Sequence, residues 1–350
     1  MNDSLEKSVG CFLRYRSFPH DISPFSTKRY FKLDRHPTLV SDENDVDKLF
    51  TEYCSKIDFS KTGIMLSGGI DSVLLASYMP KGSYAFTISY PEMKQKDEVE
   101  KAKHFAEEFG LKLVVVPVTF EDVLKYQDEL MKFKGQPLAT IEIGIYKMCL
   151  EAKKYGLTGL LSGMGADGTF GGTFLLMSRD WTNKEFVERF TYIDPALVMK
   201  KPVDSMEFYE LYYGNPYYNL QGFLDDVETE YTIAYFMNPC ELSGIKLYVP
   251  YEDCKRGFEL SRDDMLNGRE KIVLRKLFKK RLGYDYEGIK YAFPRPTEHW
   301  LKLYDEKLDD MFFEDAYDKI KTPEQKWILY SVNHFLKILT KWRNKYEFKN

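Results

Sequence analysis

The residues best suited to chemistry stand at 67–72, Ser-Gly-Gly-Ile-Asp-Ser, directly after the apolar run at 63–66. Small and polar residues crowded behind a buried run do not fill a core. Gly68 and Gly69 permit a tight turn with positive φ and a close approach of backbone to ligand. Successive N–H groups at the start of a helix can cradle an anion, and Ser67 and Ser72 add hydroxyl donors. Asp71 would repel a phosphate alone, and it makes sense if Mg²⁺ lies between them, since that ion takes one or two carboxylates plus phosphate oxygens. The competing reading is an ordinary glycine turn with Asp71 as helix N-cap. No Gly-Lys-Ser/Thr follows, so the turn is not a Walker loop. A second candidate is LLSGMGADGTFGG at 160–172, with Asp167 among Gly163, Gly165, Gly168, Gly171 and Gly172. It reads as a loop at the carboxyl end of a sheet, where open α/β folds bind ligands. Met164 and Phe170 argue against a flexible linker.

The elements that must position these loops can be read around them. GIMLS, SYAFTIS, KLVVVPV and LTGLLS read as four strands, with Pro117 marking a strand end or an edge. DSVLLASYM, DEVEKAKHFAEEFG, FEDVLKYQDELMKF and EIGIYKMCLEAKKYG read as the helices between and after them, and Gly110 stops the second. Alternating strands and helices predict a doubly wound parallel sheet covered on both faces. Upstream, DENDVDKLFTEYCSKI reads as a helix, while CFLRYRSF and KRYFKL read as short strands. From about residue 175 the alternation stops. Runs such as FLDDVETEYTIAYFM, REKIVLRKLFKKRLG and WILYSVNHFLKILTKWRNKY predict a mainly helical half. The expected organisation is a short N-terminal segment (1–60), an α/β core (61–175) and a helical part completing the site (176–350).

Composition narrows the function classes. The 350 residues are 44% hydrophobic and 30% charged, with a net charge of −4, as in an ordinary globular enzyme. The charge does not favour nucleic acid as a partner, and the basic stretches KLFKKRLG and KWRNKY read as solvated helix faces. No stretch reaches the roughly 18 apolar residues of a membrane span. Cys11, Cys54, Cys149, Cys240 and Cys254 form no C-x-x-C pair and read as reduced thiols, which predicts a cytoplasmic location. His20, His36, His104, His299 and His334 are scattered and suggest no metal cluster.

SGGIDS resembles the loop of the PP-loop ATP pyrophosphatases, which cleave ATP to AMP and pyrophosphate. Within them, the chain resembles the synthetase domain of asparagine synthetase. SGMGADGTFGG is similar to that family's S-G-E-G-A-D-E-L-F-G-G and VPYED (249–253) to its V-P-F-L-D. EKIVLRKLF and then IKYAFPRPTEHW (289–300) are similar to its L-R segment and K-x-x-F-x-x-P-x-x-x-W. All four occur in the family's order over roughly residues 60–305. The resemblance implies an adenine nucleotide alpha hydrolase-like fold and the cofactors ATP and Mg²⁺. It implies that Ser67, Gly68, Gly69 and Ser72 bind the pyrophosphate part of ATP, and that Leu66, Ile88, Ser162 and Gly163 hold the adenosine. It places Mg²⁺ on Asp71 and Asp167, the charge-neutralising lysine at Lys290 and the supporting arginine at Arg275.

The chemistry suits those residue types. A carboxylate is a poor electrophile, and transfer of AMP supplies a leaving group for attack by ammonia or an amine. A metal on two carboxylates and a lysine answer the negative charge of the phosphoryl step, and the lysine can serve again at the tetrahedral oxyanion. Two departures from the family stand out. Met164 and Gly168 replace glutamates, and methionine takes no proton. Only some 60 residues precede the ATP loop, with no cysteine after the initiator Met, so the chain is expected to use free ammonia, an amine or a separate glutaminase. Residues 8–40 read either as a remnant of the connecting segment or as a homodimer surface. The alternatives to an amide-forming ligase acting on a small carboxylate are an RNA- or nucleotide-modifying PP-loop enzyme and an inactive nucleotide-binding module.

Overall fold

The computed structural model describes residues 3–18, 37–93, 97–225, 229–287, 295–303 and 307–346. Helix α1 (Asp3–Tyr15) opens the chain, followed by β1 (Thr38–Val40) and α2 (Glu43–Ser55). The alternating core is β2 (Thr62–Met65), α3 (Ile70–Ala76), β3 (Tyr84–Ser89), α4 (Asp97–Phe109), β4 (Lys112–Pro117), α5 (Phe120–Lys134), α6 (Glu142–Lys154) and β5 (Gly159–Leu161). Local signals set the boundaries. Asp42 caps α2 by accepting the N–H groups of Asn44 and Asp45. The Asp122 carboxylate accepts the Thr119 N–H at the start of α5. Gly110 and Gly135 end α4 and α5 in the left-handed region that glycine adopts without strain.

Five strands form one parallel sheet in the order β4-β3-β2-β5-β6, where β6 is Lys246–Tyr248, with Pro117 at the end of the edge strand β4. Side chains alternate between its faces, as a pleated strand requires. Met65, Phe86, Ile88, Val116 and Leu160 enter one core with α1, α5, α6 and the C-terminal helix Pro323–Tyr346. Ile64, Leu66, Ala85 and Leu161 enter the other with α2, α3, α4 and helix Ile272–Leu282. The expected doubly wound α/β fold is thus present. A third, aromatic cluster gathers Cys11, Tyr15 and residues between 176 and 224.

The sequence reading is corrected in two places. CFLRYRSF is not a strand, because Leu5, Val9, Phe12 and Leu13 recur at helical spacing and α1 buries them. KRYFKL lies outside the described residues. The C-terminal half supplies strand β6 (Lys246–Tyr248), which pairs with β5, and β7 (Cys254–Arg256), which pairs with β1. The cysteines are free, yet Cys149 and Cys240 meet at 3.5 Å between sulfurs.

Candidate active site

The chain runs from β2 outward through β3 to β4, then returns to place β5 and β6 on the other side of β2. The carboxyl ends of β2 and β5 therefore flank a topological switch point, the place where parallel α/β sheets open a crevice. Leu66 is buried and its N–H still donates to Phe86 O at 2.8 Å, so the sheet holds the chain up to the turn. The two serines of the turn then brace each other. Ser72 Oγ accepts the Ser67 N–H at 3.2 Å, lies 3.1 Å from Ser67 Oγ and donates to Gly69 O at 3.0 Å. Gly68 has φ 76°, and a Cβ there would lie 2.5 Å from Lys101 Cβ. Gly69 has φ −76°, so only the first glycine needs the left-handed region.

Asp71 is not the N-cap of α3; Gly69 is. Its carboxylate serves elsewhere. Lys271 Nζ donates to Asp71 Oδ2 at 2.5 Å and pairs with Asp167 Oδ1 at 2.5 Å. Two carboxylates 96 positions apart therefore converge on one ammonium. The Lys271 side chain is 3% exposed. Burial works against its charge, but Asp71 and Asp167 outweigh burial and hold its pKa above the usual lysine range. Lys271 also has φ 60°, a backbone state costing about 1 kcal/mol or more for a non-glycine residue, which the convergence of charges must offset.

Neighbouring groups fix this arrangement. Gly163, beyond β5, approaches the turn so closely that a Cβ would lie 2.9 Å from Ser72 N and 3.0 Å from Asp71 C. Gly172 leaves room for the ion pair, since a Cβ there would lie 2.0 Å from Asp167 Oδ1 and 2.4 Å from Lys271 Cε. Ser162 is buried, donates its N–H to Tyr248 O at 2.9 Å and accepts the Met164 N–H at 3.3 Å on Oγ. Tyr251, in the turn Pro250–Asp253 after β6, donates its hydroxyl to Asp71 O at 3.0 Å. Tyr286 donates to Gly68 O at 2.9 Å, and burial and then the Asp71 charge push its phenol up to about 12, which keeps it a donor.

Arg275 lies one turn after Lys271. Its guanidinium donates to Glu270 O at 2.9 Å, Glu270 Oε1 at 3.1 Å and Tyr286 O at 3.0 Å. Within the described residues it ties the lysine-bearing helix start to the tyrosine that holds Gly68. Ile88 is buried on β3, where its Cδ1 would lie 2.8 Å from a Cβ at Gly144 of α6. Gly168 lies in the short helix Ala166–Phe170. Lys290 lies outside the described residues. Among the candidates, Ser67, Gly68, Gly69, Asp71, Ser72, Gly163 and Asp167 meet around one point.

Sequence reasoning missed Lys271, Tyr251 and Tyr286. Lys271 carried one signal: a lysine at the start of a helix opposes the helix dipole, so it needs a carboxylate partner. Tyr251 lies within VPYED with no role assigned to it, and Tyr286 carried no signal, being one tyrosine among 26.

A parallel sheet with a Ser-Gly-Gly turn at its switch point, and an aspartate loop on the adjacent strand end, defines a PP-loop α/β domain of an ATP-using class. Residues 57–229 match the family model for asparagine synthase. No curated protein matches the chain in sequence. Similar solved structures include the NMN synthetase of Francisella tularensis, 17% identical over 37% of this chain and 56% of that one, with a TM-score of 0.27. The NH3-dependent NAD synthetase of Campylobacter jejuni is 14% identical over 37% of this chain and 58% of that one, with a TM-score of 0.25. The U34-tRNA thiolase NcsA of Methanococcus maripaludis is 13% identical over 85% of this chain and 79% of that one, with a TM-score of 0.33. The chain thus spans little more than half the length of the two synthetases. No helix among the described residues is long and apolar enough to cross a membrane.

Proposed function

We propose that this protein activates a small-molecule carboxylate as an acyl-adenylate, releasing pyrophosphate, and passes the acyl group to ammonia or an amine. The observation that carries the reading is the meeting of Asp71 and Asp167 on Lys271 beside the 67–72 turn. One ammonium between two carboxylates leaves that cluster net negative, and a triphosphate approaching it would be repelled. A divalent cation entering with the nucleotide resolves the conflict. The donor set suits Mg²⁺: two carboxylates aim at one point, and phosphate oxygens and water would complete the shell. Among the described residues no group of three or more His, Cys, Asp or Glu side chains is arranged to hold a metal, so the ion would depend on the nucleotide. Asp71 and Asp167 would hold it, and its charge would screen the phosphates.

The chain's own groups then have separate tasks. Ser67, Gly68, Gly69 and Ser72 would receive the pyrophosphate part, and Leu66, Ile88, Ser162 and Gly163 the adenosine. Lys271 holds the two carboxylates together at the phosphate end. Lys290 would neutralise charge on the phosphoryl and tetrahedral states, with Arg275 positioning the segment through Glu270 and Tyr286. Nitrogen would come as free ammonia, as an amine or from a separate glutaminase.

Pyrophosphate release from ATP, measured with aspartate, glucuronate, N-acetylglycine and alanyl-alanine, tests the reading. Strong stimulation by one acid is the expected result. Stimulation by RNA alone would make the protein an RNA-modifying enzyme, and ATP binding without turnover would make it an inert module. Lys290→Ala is expected to remain folded and to lose on the order of 10²–10³ in pyrophosphate release, the scale of a lost oxyanion donor. Near-normal release would remove Lys290 from the mechanism.

A further inference from the structure

We propose that the Glu252 carboxylate takes the proton released when nitrogen attacks the adenylate, the task that Met164 cannot perform. The proposal rests on the amide-forming reading above. Glu252 sits in the turn Pro250–Asp253, directly after β6, and is therefore at the carboxyl end of the sheet with the nucleotide turn. It is only 8% exposed. Its carboxylate presses on the loop that carries Met164 and Asp167: a Cβ on Gly165 would lie 2.4 Å from Glu252 Oε1 and 3.1 Å from its Cγ. Gly165, at φ 87°, lets the backbone pass over the carboxylate. Two residues earlier, Gly163 touches the backbone of Asp71 and Ser72. Glu252 thus stands across one short loop from the nucleotide turn. The adjacent Tyr251 anchors it there through its bond to Asp71 O.

Asp71 and Asp167 are engaged with Lys271. The motifs add a second observation. Where the family pattern has glutamate, position 164 is Met, and where V-P-F-L-D has leucine, position 252 is Glu. One loop lacks a carboxylate, the other gains one, and the two loops touch.

The step balances as follows. The neutral nitrogen forms a bond to the acyl carbon, and the carbonyl π pair moves to oxygen. Glu252 accepts the proton from the now cationic nitrogen. The oxyanion collapses, the bond from carbon to the AMP oxygen breaks, and AMP leaves with that electron pair. Glu252 then returns its proton to solvent.

The test separates the half-reactions in Glu252→Gln, using the panel acid that best supports pyrophosphate release. ATP–pyrophosphate exchange dependent on that acid should stay within about threefold of wild type, while amide formation from ammonia falls on the order of 10²–10³, the scale of general base catalysis. Hydroxylamine gives an adduct whose N–H is more acidic and ionises without help, so hydroxamate formation should fall less than about tenfold. Glu252→Asp should restore part of the ammonia reaction. Equal loss of both half-reactions, or undiminished amide formation, would overturn the proposal. Wild-type protein that supports no exchange with any acid would overturn the functional reading, and this proposal with it.

Discussion

At the scale of single residues, the site is organised by charge. Lys271 is buried with two carboxylates on it, and removing one member of such a network costs far more than the network contributes. Lys271→Met is expected to lower stability by about 3–5 kcal/mol in urea denaturation, because two carboxylates are left facing each other. Adding Asp71→Asn should recover part of that loss, and simple additivity of the two changes would disprove the coupling. The motif residues around this pair were legible in the sequence because Gly68, Asp71 and Asp167 occur in unusual company. Lys271 was not, since its place at the start of a helix calls for a carboxylate without saying which one. Its meaning arises from residues 200 and 104 positions earlier, and only the fold brings them to it.

Among the elements, close approach decides geometry. The loop after β5 fits between the 67–72 turn and helix Ile272–Leu282 because it is lined by glycine at 163 and 172. Gly172→Ala places a methyl group on the line between Asp167 and Lys271. Turnover should fall on the order of 10²-fold, as for an ångström-level misplacement of reacting groups, with the circular dichroism spectrum unchanged. An alanine variant of full activity would show that the pair is not required. The central strands β2 to β5 were legible as apolar runs bounded by turn residues. β1, β6 and β7 were not, because they are as short as β5 but only partly buried, so none stands out as an apolar run. They are strands only through distant partners, as Thr38 is with Cys254 and Gly159 with Lys246. In α1 the helical spacing was present but began before the window CFLRYRSF.

For the molecule as a whole, burial of acid groups sets a pH dependence of stability. Burial raises Glu98, in the first turn of α4, to about 7, with Lys101 and Arg295 opposing the shift. The folded state then binds this proton more tightly than the unfolded chain, whose glutamate titrates near 4.5. Its contribution to stability is present at low pH and is lost as pH rises from about 4.5 through about 7. Glu98→Gln is therefore expected to melt higher than wild type at pH 8, with the difference vanishing near pH 4.5. Thermal melts at the two pH values check this, and a wild type that is the more stable at pH 8 would contradict it. The same region is tied together by Trp300, fully buried, whose ring lies 5.6 Å from Tyr90 and 6.2 Å from Trp327. Its indole N–H donates to Glu92 at 3.2 Å. It anchors the short helix Thr297–Lys302, which follows the segment containing Lys290, to both the sheet and the C-terminal helix.

The pairing of β5 with β6 has a consequence for biosynthesis. A chain still on the ribosome completes β5 about 85 residues before β6 exists to cover it. In that interval β5 is a bare margin of N–H and C=O groups, open to pairing with another nascent chain. The ion pair on Lys271 waits longer still, because Lys271 lies beyond β6 in the chain, so the crevice cannot close until both have been made.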